Sequence, residues 1–190
     1  MNKSPAPFVG HSFLFMKVWF FLSAVLVVSC YQDKIDKRKE WVLQYRGKVQ
    51  ESFRGEPTIE DLLRKFFTEL QTTKNIEPYL VSDDEYLKVY WSNESWDRIL
   101  DAGSNFDTLL RLRQVGFHKN VQDVKRNFPY TKHQFASYEI EDTQIQEINE
   151  IYFLRRVLLK HRDEIVSVGF VKTILKHNGQ HKILGIGEYD

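Results

Sequence analysis

Six histidines carry the neutral-pH titration chemistry of this chain: His11, His118, His133, His161, His177 and His181. Imidazole titrates near neutrality, so a histidine beside a carboxylate can serve as a general base. His118 and His133 lie in a polar central stretch near Asp107, Asp123 and Tyr138, and are the residues placed for that role. His177 and His181 flank Asn178-Gly179 and, with His161, could imitate a metal cluster. Two histidines without a placed third ligand make a poor zinc site, and histidines at a turn are expected to be solvated, so no metal or other cofactor is assigned. Nucleophilic and nucleotide chemistry have less support still. There is no G-x-S-x-G elbow and no P-loop, and Gly185-Ile186-Gly187 lacks the third glycine and following helix of a dinucleotide loop. No residue is assigned as catalytic.

The one cysteine, Cys30, closes the apolar run from Val18 to Val28, which follows a basic start at Lys3 and Lys17. That order is the pattern of a secretory signal. The run is too short to span a bilayer, which needs roughly 20 apolar residues. Extending it back through Phe13-Leu14-Phe15-Met16 would place Lys17 inside the membrane, a costly position. A lone thiol cannot form an internal disulfide and is a liability in an oxidising compartment. Val27-Val28-Ser29-Cys30 resembles a bacterial lipobox. The resemblance implies a signal peptide over residues 1–29, diacylglycerol and further acyl chains such as palmitate on Cys30, and a lipidated tether over residues 30–40. It implies a lipoprotein of the bacterial cell envelope held to the membrane by its N-terminal lipid. Tyr31 in place of the aspartate that some bacteria use for inner-membrane retention favours the outer membrane. Met16-Lys17 also reads as a conventional signal start, and translation from Met1 or Met16 gives the same mature chain. Simple signal cleavage and an uncleaved anchor are the alternatives.

The remainder has the size and composition of one globular domain, 41–190, since 42% hydrophobic and 14% aromatic residues supply enough apolar surface to offset chain entropy. A net charge of +1 argues against a dedicated nucleic-acid binder. A late basic group (Arg155, Arg156, Lys160, Arg162, Lys172, Lys176, Lys182) follows an acidic one (Glu139, Glu141, Asp142, Glu147, Glu150), which predicts a mixed-sign surface. Asn93-Glu94-Ser95 matches a glycosylation sequon, accidental in a bacterial lipoprotein.

The elements that would position these residues change character along the chain. Trp41, Val42, Tyr45 and Val49 predict a first helix that ends before Gly55 and Pro57. Thr58 with Asp61 caps a second, whose Ile59, Leu62, Leu63, Phe66, Phe67 and Leu70 form a core stripe. Ser82 with Glu85 caps a third, placing Tyr86, Leu87, Tyr90 and Trp91 on one face and Asp83 and Asp84 in the dipole-favoured first turn. Residues 94–115 predict one irregular helix or two, with Trp96, Ile99, Leu100, Leu109, Leu110 and Val115 apolar and a weak point at Gly103-Ser104. From Phe128 the pattern shifts to period two, with Ala136, Tyr138 and Ile140 alternating against Ser137 and Glu139. Strands are predicted over roughly 149–160 and 165–176, the latter joined through Asn178-Gly179 to a last one over 183–189. Helices first and antiparallel strands last define an α+β domain: N-terminal helices packed on a curved antiparallel sheet formed by the C-terminal half.

That order, with the closing Lys182-Ile183-Leu184-Gly185-Ile186-Gly187-Glu188-Tyr189, resembles the cone-shaped fold of the nuclear transport factor two-like superfamily from Thr58 onwards. Its members include enzymes and binding proteins built around one cavity, so the resemblance implies a pocket without naming a reaction. Phe66, Phe67, Tyr86, Tyr90, Trp91, Trp96, His118 and His133 are the candidate cavity-lining residues, with ordinary core as the alternative for the aromatic ones. The function expected is a non-catalytic domain that binds a small apolar ligand or an envelope protein and no nucleic acid. The alternatives are a cavity enzyme with a His/carboxylate base and a purely structural envelope component.

Overall fold

A computed structural model describes residues 37, 39–101 and 106–188. The chain divides into two compact units, Met1–Trp41 and Val42–Asp190. Cys30 and the signal segment lie outside the described residues. No helix among the described residues is long and apolar enough to cross a membrane.

The predicted first helix stops at Tyr45 instead of continuing through Val49. Gly47, at φ +68°, turns the chain there, and Val49 is exposed. The next element follows its cap: Thr58 Oγ1 accepts the Asp61 N–H at 3.0 Å and opens α1 (Ile59–Thr72), with all six residues of the apolar stripe buried. The capping box also forms, with Ser82 Oγ accepting from the Glu85 N–H and Glu85 Oε2 accepting from the Ser82 N–H. The helix it starts is irregular. After α2 (Asp83–Glu85), a π segment spans Tyr86–Tyr90 and a 3-10 turn Trp91–Asn93. Ser92 Oγ donates to the Lys88 carbonyl (2.6 Å) and Asn93 Nδ2 to that of Val89 (2.7 Å), so side chains compete for the acceptors of a regular ladder. Val89, absent from the predicted face, is buried in place of Leu87.

The 94–115 region is two helices, α3 (Trp96–Asp101) and α4 (Phe106–Arg113); Gly103-Ser104 lies outside the described residues. Val115 is exposed, because α4 widens into a π segment, Gln114–His118, that turns Arg113 and Phe117 inward. A helix then appears where the sequence read as a polar stretch: α5 (Lys119–Asn127). Phe117, Val121, Val124 and Phe128, at offsets of four, three and four, form its buried stripe.

The sheet is antiparallel throughout: β1 (Gln134–Gln146), β2 (Asn149–His161), β3 (Glu164–Val168), β4 (Val171–His177) and β5 (Gln180–Ile186). Its order is β1-β2-β4-β5, and β3 pairs with β2. The predicted continuous strand over 165–176 is therefore two. Its first part pairs with Val157–His161 and its second with Asn149–Phe153, so the break at Gly169-Phe170 lets both share one edge of β2. Asn178 (φ +48°) and Gly179 (φ +72°) make the predicted two-residue hairpin between β4 and β5.

Bulges decide which side chains face inward. In the β1–β2 ladder Glu139 pairs with Arg156 and Ile140 with Leu154, leaving Arg155 as an extra residue. That residue reverses the alternation, so Leu154, Val157 and Leu159 all reach the main core. A second bulge, between Phe135 and Ser137, makes Phe135 and Tyr138 the inward pair and leaves Ala136 and Ile140 exposed, against the predicted alternation. The main core lies between the sheet and α1 and α5. A second cluster, Phe53, Val81, Val89, Ile151, Leu175 and Leu184, covers the opposite face, with Tyr86, Tyr90 and Phe153 against it. The acidic and basic groups meet across strands, Glu139 with Arg156 and Glu150 with Lys176 (2.5 and 2.6 Å).

Candidate functional site

Arg64, Thr68 and Gln71 stand at i, i+4 and i+7 on α1, beside Phe67, and project along one side of the helix. The start of β1 runs opposite. Between them lies a cleft of about 280 Å³ lined by Arg64, Phe67, Thr68, Gln71, His133, Gln134 and Phe135. The Gln71 side-chain amide donates to the His133 carbonyl and ties the two walls together. Phe67 supplies an apolar wall and is fixed from behind by Phe128 and Phe170, ring centroids 5.9 Å away in both cases. Arg64 stands exposed, paired with Glu60 and Asp61 of its own helix.

His133 is the unusual member. It is only 8% exposed, and neither ring nitrogen has a hydrogen-bond partner among the described residues. Nε2 lies 3.5 Å from Glu164 Oε2, an ion-pair separation without hydrogen-bond geometry. The Tyr130 ring meets it edge-on at 5.1 Å, and the His161 ring lies at 5.5 Å. Leaving a buried polar group unpaired costs roughly 1–3 kcal/mol. The cleft thus sets an apolar wall of Phe67 and Phe135 beside a buried imidazole whose two nitrogens, themselves without exposed surface, lack hydrogen bonds.

His118 sits elsewhere. Its Nε2 donates to Asp83 Oδ1 at 2.8 Å, the hydrogen-bond reach that a general-base pair needs. Arg113 Nε donates to the same oxygen at 3.0 Å, and the guanidinium also bonds the Val81 and Leu184 carbonyls. It lies over the rings of Phe117 and Tyr86, 4.0 and 4.5 Å from their centres. Burial lowers the Arg113 pKa, and the Asp83 carboxylate opposes that shift. The cluster ties the α4–α5 junction to α2 and β5. Neither the His133 cleft nor a second one of about 160 Å³, at Tyr130, Gly169 and Lys172, is lined by His118 or Asp83.

The candidate cavity-lining residues thus separate. Phe67 and His133 line the cleft, while Phe66 is main core and Trp91 is buried without a partner for its indole N–H. Tyr86 and Tyr90 stack at 5.3 Å over the second cluster, and their phenol pKa values are raised chiefly by burial. Trp96 lies beneath the Arg46 guanidinium. The turn histidines are buried, contrary to expectation. His177 Nδ1 bonds Asn149 Oδ1 at 2.7 Å while Nε2 accepts the Gln50 N–H at 2.8 Å, and His181 Nδ1 donates to the Glu56 carbonyl at 3.0 Å. No group of three or more His, Cys, Asp or Glu side chains among the described residues is placed to hold a metal ion. Sequence reasoning missed Arg64, Thr68, Gln71, Gln134 and Phe135; the i, i+4, i+7 spacing on α1 was the available signal. No protein-family model, curated protein or solved structure matches the chain.

Proposed function

We propose that the chain is a bacterial cell-envelope lipoprotein, anchored through acylated Cys30 and favouring the outer membrane, whose folded unit is a non-catalytic binding domain. Its ligand is a small molecule with a hydrogen-bonding head and an apolar body, held in the cleft between α1 and β1. The observation that carries this reading is His133, which lines the cleft and is buried with neither ring nitrogen hydrogen-bonded among the described residues. A volume of about 280 Å³ suits a compact ligand, since pockets for drug-sized molecules begin at roughly 300 Å³. The resemblance to the cone-shaped nuclear transport factor two-like fold is part of the proposal, supported by helices that precede a bulged antiparallel sheet. In this chain Phe66, Leu63 and Leu70 fill the space between helix and sheet, and the cleft opens at its margin.

A cavity enzyme is the second reading, favoured by the 2.8 Å contact between His118 and Asp83. It has less support because neither residue lines either cleft.

Native mass spectrometry of the full chain extracted from its membrane tests the proposal. A lipid mass on the N-terminal fragment and a non-covalent small-molecule adduct are expected, the adduct disappearing in His133→Phe, which keeps a ring and removes both nitrogens. An unacylated chain, or an adduct retained by the folded variant, contradicts it.

A further inference from the structure

We propose that residues 47–57 form an acid-released strap: neutral His177 holds the Gln50 end against the sheet, and its protonation frees the Gln50–Phe53 stretch while the Glu56 end stays paired. The two ends are built differently. At the first, the Gln50 N–H donates to His177 Nε2 (2.8 Å), so that nitrogen must carry no proton; Nδ1 then carries it and donates to Asn149 Oδ1 (2.7 Å). Asn149 is fixed in turn by its Nδ2, which donates to the Val89 carbonyl at 2.8 Å. A proton added to His177 has only Nε2 to occupy, where it meets the Gln50 N–H head-on. At the other end, Glu56 and His181 exchange backbone hydrogen bonds of 3.0 and 2.8 Å, and His181 Nδ1 donates to the Glu56 carbonyl. Protonating His181 leaves all three bonds intact, since each uses a donor already present.

Phe53 makes the strap matter to the fold. Its ring meets His177 edge-on at 5.4 Å and is buried with Val81, Val89, Ile151, Leu175 and Leu184. Lifting the Gln50–Phe53 stretch therefore uncovers apolar surface on that face of the sheet. The groups packed closest to His177 are uncharged. The strap offers Gln50 and Phe53 and β2 offers Asn149, none of them titratable. The charged group that reaches it is Glu85 of α2, and Lys182 of β5 holds that carboxylate at 2.7 and 3.0 Å. Burial lowers the His177 pKa, and Glu85 opposes that shift only in part.

The closed strap thus binds a proton less readily than the open one. Above the ordinary histidine pKa of about 6.5 the opening equilibrium is flat; below it, opening rises by up to about tenfold per pH unit until the closed-state pKa is passed.

Amide hydrogen exchange on the full chain, corrected for intrinsic rates and followed from about pH 7.5 to about pH 5, tests this without a variant. The Gln50 amide should lose protection in proportion to the proton, while Glu56 and the α1 amides of Leu63 and Phe67 hold theirs. The ring nitrogens of His177, followed by NMR, should titrate over the same range. Protection at Gln50 that does not change, protection lost together at Gln50, Glu56 and Leu63, or a His177 titration with Gln50 still protected would each overturn the proposal.

Discussion

Gly55 passes so close to β5 that a Cβ built on it would stand 2.3 Å from the carbonyl oxygen of His181 and 2.9 Å from its carbonyl carbon. Both atoms are backbone and cannot rotate aside. The position is closed to any side chain because Glu56, the next residue, is paired to His181 in both directions. Gly55→Ala should lower stability by about 1–3 kcal/mol, as overpacking does. In a domain of this size that corresponds to roughly 2–4 °C in Tm per kcal/mol. A thermal melt unchanged within error would mean that the strap does not lie where this contact places it.

Leu63 is fully buried at the centre of the α1 stripe. Leu63→Ala should cost about 2–5 kcal/mol by urea unfolding, the range of leucine truncations in packed cores. A loss below about 1 kcal/mol would contradict the packing of α1 on the sheet.

The features legible in the sequence were those encoded by neighbouring residues. Thr58 with Asp61, Ser82 with Glu85, and Asn178-Gly179 each specify a local geometry within four residues, and each formed. Features that depend on distant partners were not legible. The strand over 165–176 divides because β2 has a bulge at Arg155 and offers two separate pairing segments. His177 is buried because Gln50 and Asn149, far from it in the chain, complete its hydrogen bonds. The α5 stripe was present in Phe117, Val121, Val124 and Phe128, but the polar residues between them outweighed the periodicity. Four of the seven lining residues lie on α1 and three run from His133 to Phe135, with His133 62 positions from Gln71, so no single window of sequence contains the site.

Glu150 and Lys176 face each other in register across β2 and β4, with Tyr152 also donating to Glu150. The Lys176 contact, then that of Tyr152, lowers the Glu150 carboxyl pKa. Both charged groups are about one-third exposed, so the pair contributes modestly, on the order of 0.2–1 kcal/mol. The sign follows from the lowered carboxyl: its contribution is present above the ordinary carboxylate pKa and lost as pH falls through the folded value. Lys176→Glu should destabilise the sheet, and Glu150→Lys combined with it should recover most of the loss. A double variant no more stable than Lys176→Glu would deny the pairing.

Cys30→Ser removes the only thiol. Under the proposed anchoring, several acyl chains at roughly 0.8 kcal/mol per buried methylene hold the native protein in the membrane. The variant should stay an unacylated precursor, and its detergent partitioning should shift to the aqueous phase. Identical partitioning and an intact mass unchanged apart from the oxygen-for-sulfur exchange would refute lipidation at this position.

In the proposed binding mode a ligand completes the hydrogen bonding of His133. Long-range proton–nitrogen NMR of the full chain, titrated with the small-molecule extract of its own membrane, reads the two ring nitrogens directly. The His133 nitrogen resonances should move on binding while those of His177 stay fixed, and the Gln134 and Phe135 amides should shift with the former. Binding that leaves the His133 nitrogens unmoved, or an extract that produces no shift at the cleft, would contradict that binding mode.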